Sequence, residues 1–133
     1  MEANELRIWN WIIEPGQDEN KPFQIFSIYH ETGNNKVNGL PINYFKPIPL
    51  TEDWLIRFGF EKYEGGYMVK TYYVGVYLHL RKDIFNELVC TLRFYGKQKE
   101  DNQWMPLSPF LKHVHQLQNL YFSLTGTELT LKN

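Results

Sequence analysis

The residues of this 133-residue chain that could do chemistry are four histidines, one cysteine and fifteen scattered carboxylates. His113 and His115 are two apart. On a helix such a pair points about 200° apart, at about 100° per residue, and cannot grip one ion. His30 and His79 have no neighbours at ligand spacing, so the expectation is no metal and no cofactor. Cys90 alternates with Leu88 and Leu92, which marks it as a buried small hydrophobe with an unshifted or raised thiol pKa. Glu52 and Asp53 follow Thr51 and are explained as the acidic first turn of a helix, while Glu100 and Asp101 lie in a polar stretch. The chain holds no Gly-x-Ser-x-Gly turn, phosphate-binding Gly-rich loop or His-Glu-x-x-His helix. An enzyme therefore ranks last among the functional readings, although triads assemble from distant residues.

The sharpest pattern is aromatic and basic. Tyr73, Tyr77, His79 and Arg81 alternate in the run 68–81, and Arg93 and Tyr95 alternate in the run 88–95. If the two runs pair as antiparallel strands, all six project from one face. Tyr and Arg concentrate interface energy, and the same set suits single-stranded nucleic acid, with bases stacking on rings and Arg meeting phosphate. The competing structural reading is that Tyr simply favours strands and pairs across them. A second group is His115, Gln118 and Asn119. Asn119 falls near His115 on the outer side of a helix, where amides can bond a partner. Gln118 flanks the buried stripe, and the favoured reading is that it satisfies buried backbone groups.

The elements that must position these residues form an α+β fold in one domain, 1–133, with a β-rich part at 5–48 and the rest at 50–131. Leu6 to Ile13, Phe23 to Tyr29 and Lys36 to Leu40 read as strands of a small curved unit, an SH3-like barrel in outline. Pro41, Pro47 and Pro49 make 41–50 an extended connector. Thr51 caps a two-turn helix, Glu52 to Phe58, with Trp54, Leu55 and Phe58 inward. Leu50 and Leu55 stand at the staple positions, and Gly59 with Phe60 suits a Schellman ending. Gly65-Gly66 turns a hairpin. Met68 to Arg81 and Leu88 to Tyr95 form an antiparallel sheet, with Met68, Leu78, Leu80, Cys90 and Leu92 on its apolar face. Gly75 marks a bulge, and 82–87 and 96–103 are loops. Ser108 caps a second helix with Pro109 at its first position. Its stripe is Phe110, Val114, Leu117, Tyr121 and Leu124, and Gly126 ends it. This helix is expected to cover the apolar sheet face, and Thr127 to Leu131 to add a last strand.

Fourteen basic against fifteen acidic residues give a net charge of −1, which argues against a dedicated nucleic-acid binder. The 43% hydrophobic content excludes disorder as the main state. No apolar run approaches the ~20 residues of a membrane span. One cysteine and an acidic, polar N-terminus point to a reducing, cytoplasmic setting.

Three stretches carry a resemblance. Leu6-Arg7-Ile8 with Asn10-Trp11 forms the first. The second is Pro47-Ile48-Pro49-Leu50-Thr51-Glu52-Asp53-Trp54-Leu55 with Phe58-Gly59-Phe60. The third is Val114-His115-Gln116-Leu117-Gln118-Asn119-Leu120-Tyr121-Phe122 with Leu124-Thr125-Gly126 and Glu128-Leu129. Together they resemble a family of short uncharacterised proteins common in gut-bacterial genomes, phages and prophages. The pieces span most of the chain in order, and Trp9 departs from the Gly the family usually shows. The resemblance implies a mobile-element or accessory setting and no site residues. The expected function is a non-enzymatic binding module working through protein or self-association contacts. The alternative is a nucleic-acid or nucleotide binder using the aromatic–basic face.

Overall fold

The computed structural model describes residues 5–14, 21–30, 32–33, 35–63, 65–70, 76–82, 88–94, 103–108 and 111–132, with backbone alone at 70, 76–77, 92–94 and 103–108. The fold is α+β. The chain divides into two compact units, the first formed by Met1–Pro49 with His113–Leu129 and the second by Leu50–Lys112 with Thr130–Asn133. Among the described residues no helix is long and apolar enough to cross a membrane.

In the first unit β1 (Trp11–Ile13) lies between β2 (Pro22–Gln24) and β6 (Lys46–Pro47), both antiparallel to it. A second small sheet joins β3 (Ile28–Tyr29), β4 (Lys36–Val37) and β5 (Leu40–Pro41). No closed barrel forms among the described residues, so the barrel expectation is corrected. The strands are shorter than their alternation predicts because turns interrupt them. Ile8 and Trp9 form a turn where a continuous strand was expected. Asn38 and Gly39, both at positive φ (50 and 82), reverse the chain between β4 and β5. Asn-Gly is the residue pair a tight hairpin favours, so 36–40 is a hairpin and not one strand. Leu6, Ile12, Ile25, Val37 and Phe45 make the core of this unit, with Phe23, Ile28 and Ile42 packed against it.

The second unit begins with α1 (Glu52–Arg57), which forms as its local signals require. The Thr51 hydroxyl accepts from the Trp54 N–H at 3.5 Å. At the other end the Gly59 N–H reaches the Ile56 carbonyl and the Phe60 N–H the Leu55 carbonyl, both at 2.9 Å, which is a Schellman ending. Trp54, Leu55 and Phe58 are buried. A five-stranded antiparallel sheet follows in the order β11-β10-β9-β8-β7. Its strands are β7 (Glu61–Tyr63), β8 (Gly66–Lys70), β9 (Val76–Lys82), β10 (Leu88–Phe94) and β11 (Gln103–Ser108). β11 occupies residues expected to be loop and helix cap. It is an edge strand, the place where Pro106 is tolerated.

Met68 to Arg81 is two strands. Met68 lies opposite His79 and Tyr67 opposite Leu80, so even-numbered residues of β8 share a face with odd-numbered residues of β9. That reverses the expected place of Met68 relative to Leu78 and Leu80. The expected bulge at Gly75 lies outside the described residues.

The second helix, α2 (Val114–Thr125), starts five residues later than Ser108 capping predicts. Its N-cap is His113, whose backbone N–H is accepted by the Gln116 side chain at 3.0 Å, and Gly126 ends it at φ 70. It groups with the first unit, where it contacts β1, whereas the 68–94 sheet belongs to the second. Thr127 to Leu131 adds no strand.

Candidate functional site

The register of the second unit's sheet places Tyr77 opposite Arg93, His79 opposite Thr91 and Arg81 opposite Val89. Four of the six expected face residues therefore share one side, while Tyr73 and Tyr95 lie outside the described residues. That side is not an open platform. His79 is fully buried and Thr91 nearly so. The His79 Nε2 donates to the Tyr63 carbonyl at 2.9 Å, and the Tyr63 ring meets the imidazole edge-on at 6.3 Å. Leu78, Leu80 and Cys90 are buried on the opposite side. His79 is corrected from surface contact to interior residue, and Arg81 is the member seen exposed.

The second group is also internal. Gln118, fully buried, accepts from the Trp11 N–H at 2.9 Å and donates to the Trp9 carbonyl at 3.1 Å. Asn119 accepts from Arg7 at 2.8 Å and from the Asn10 amide at 2.9 Å, and donates to the Glu5 carbonyl. Arg7 also pairs with Glu128, and its guanidinium lies 3.9 Å above the Phe122 ring. Residues of the opening stretch and of the C-terminal helix thus meet in one clamp. Their separation of more than a hundred positions hid it from sequence reading.

His115 is buried, not on the far side of the helix. Its ring stacks on His113 with centroids 5.6 Å apart and planes 8° apart. The 200° argument fails because His113 is the cap, at φ −128 and ψ 152, and lies off the helical path. Glu5 stands 3.7 Å from His115 Nε2. Burial, reinforced by the neighbouring His113, pushes the His115 pKa down to about 4, with Glu5 opposing. Among the described residues no three His, Cys, Asp or Glu side chains gather as a metal site requires.

Two features were not foreseen. Trp9 sits at φ 78, the left-handed region that glycine favours, and the residue is 54% exposed. Its N–H donates to the Ile25 carbonyl at 2.7 Å, and its carbonyl accepts from Gln24 at 3.0 Å as well as from Gln118. The alternation of residues 6–13 gave no local sign of it. In the second unit, a cleft of about 450 Å3 opens between the start of α1 and the ends of β8, β9 and β10. Glu52 lines it, accepting a hydrogen bond from the Tyr67 phenol, with Lys62 3.5 Å from its carboxylate. That phenol, with help from Lys62 and Lys82, draws the Glu52 pKa below the ordinary carboxylate value, while bonding to Glu52 raises Tyr67 to about 12.

No protein-family model, curated protein or solved structure matches the chain.

Proposed function

We propose that the chain is a non-enzymatic binding module of a phage or other mobile element, acting through protein contacts, self-association first among them. The observation that supports this reading is Trp9. A non-glycine residue in left-handed backbone costs about 1–2 kcal/mol, and an exposed indole recovers little of that by burial. Neighbouring positions extend the apolar surface of the first unit: Ile8 precedes Trp9, and Phe26 follows the residue whose carbonyl Trp9 bonds. Both are exposed, as is Phe122 beneath Arg7. Contiguous exposed apolar surface marks interaction sites, and Trp is among the residues most often dominant in them. The nucleic-acid alternative rests on an open Tyr–Arg face, and the burial of His79 and Thr91 weighs against it.

The test is the molar mass by light scattering at two concentrations, for the wild type and for Trp9→Gly. The wild-type mass should rise above 16.0 kDa with concentration. Trp9→Gly should stay monomeric with an unchanged or higher Tm, since glycine relieves the strained φ at a comparable cost in unfolded-chain entropy. A wild-type mass of 16.0 kDa throughout removes the self-association reading.

A further inference from the structure

Asn38 does more than reverse the chain between β4 and β5. Its backbone sits at φ 50, a left-handed conformation that asparagine tolerates better than most residues, and its side-chain amide lies along residues 24–27. The Oδ1 accepts from the Phe26 N–H at 2.9 Å and from the Ser27 N–H at 3.2 Å, which uses both of its lone pairs. The Nδ2 donates to the Gln24 carbonyl at 3.5 Å, and the Asn38 N–H donates to the Ser27 carbonyl at 3.0 Å. Residues 25–27 run between β2 and β3 and belong to neither strand. One amide thus gives this stretch the bonds that a neighbouring strand would otherwise supply.

The same stretch holds Trp9. The Ile25 carbonyl accepts from the Trp9 N–H at 2.7 Å, the Ile25 N–H donates to the Asn10 carbonyl at 2.9 Å, and the Gln24 side chain donates to the Trp9 carbonyl at 3.0 Å. Asn38 therefore bonds the residues on both sides of Ile25, and one of them is Phe26, itself exposed. A residue at φ 78 stays there only while its surroundings impose it. We infer that Asn38 is the positioning residue of the Trp9 surface: its amide fixes the 24–27 stretch, which in turn holds Trp9 and presents Phe26 to a second copy of the chain. This assignment rests on the self-association reading for the contact that the surface makes.

Two variants separate this role from that of a plain turn residue. Asn38→Gly keeps the backbone conformation, since glycine enters the left-handed region freely and Gly-Gly also suits the turn, but it removes the amide. Asn38→Asp keeps oxygens that accept from Phe26 and Ser27 and loses only the donor to Gln24. Amide hydrogen exchange followed by NMR should be at least about tenfold faster at Phe26, Ser27 and Trp9 in Asn38→Gly, with the amides of α2 at wild-type rates. In Asn38→Asp all of these should stay near wild type. Light scattering at a concentration where the wild type associates should find Asn38→Gly monomeric below its Tm and Asn38→Asp associated. Wild-type exchange at Trp9 in Asn38→Gly overturns the inference, because Asn38 would then hold only its own neighbours. Wild-type association of Asn38→Gly overturns it too, as does an Asn38→Asp variant that behaves like Asn38→Gly, since the accepting oxygen would not be what matters. A wild type that is monomeric at every concentration removes the self-association reading instead, and the exchange rates at Trp9 still decide whether Asn38 positions it.

Discussion

Burial decides the charge of His115. Its pKa lies at about 4 in the folded chain against 6.5 for an ordinary histidine, so on acidification the unfolded chain takes the proton first. The stability this group contributes is complete above pH 6.5 and is lost as pH falls from 6.5 toward 4, by up to about 3 kcal/mol. Urea midpoints at pH 7 and pH 4.5 should show this as a smaller acid-side loss in His115→Phe than in the wild type. An identical loss in both would place the acid sensitivity elsewhere. Cys90 shows the same physics on a thiol: burial raises its pKa to about 12. A thiol reagent at pH 8 should leave the native chain unmodified and label it fully in denaturant, and rapid labelling of the native chain would contradict that burial. Cys90 was legible in the sequence because it alternates with leucines. His79 and His115 were not, since a histidine suits surface and interior alike, and what covers it belongs to other elements.

Helix α1 was legible because everything that makes it lies within ten residues: the Thr51 cap, the acidic first turn, the buried Trp54, Leu55 and Phe58, and Gly59 at φ +91. Gly59→Ala should cost about 1–2 kcal/mol from the left-handed backbone, and the Lys132 side chain must also move from 2.9 Å of the new methyl. Gly39→Ala, with nothing within 4 Å, should cost the backbone strain alone. Gly66→Ala should exceed both, because its methyl meets the backbone carbonyl of Leu80 in the central strand. Thermal melts of the three variants give the order, and a Gly66→Ala melt no lower than that of Gly39→Ala would break it. Elsewhere local signals misled. Ser108-Pro109 reads as a helix start, yet Ser108 pairs with Cys90 at the end of β11 and the helix waits for His113. Alternation through 68–81 hid a chain reversal, because period two survives a turn and the phase does not.

At the scale of the molecule, the first unit is made from two distant pieces of chain. Asn10 is fully buried and its amide is bonded to Asn119; Gln118 satisfies backbone groups of Trp9 and Trp11. Removing α2 strands these groups, each worth about 1–3 kcal/mol when left unpaired. A chain ending at Lys112 should therefore lose the packed core of Ile12, Ile25 and Val37, read as collapse of their methyl dispersion by NMR. Full retention of that dispersion would show that the first 49 residues need no partner. Composition and local pattern alone determined the α+β class, the capped helix α1, a hairpin reversing beside Gly65 and the buried thiol, because those depend on residues a few positions apart. Tertiary structure alone decided that α2 joins the first unit, that His79 is interior, that Arg7 and Glu128 meet, and that Glu52, Tyr67 and Arg81 line one cleft. The reason is that strand register and long-range amide bonds are selected by the packing of the whole chain, and periodicity along one segment carries no record of which segment will lie against it.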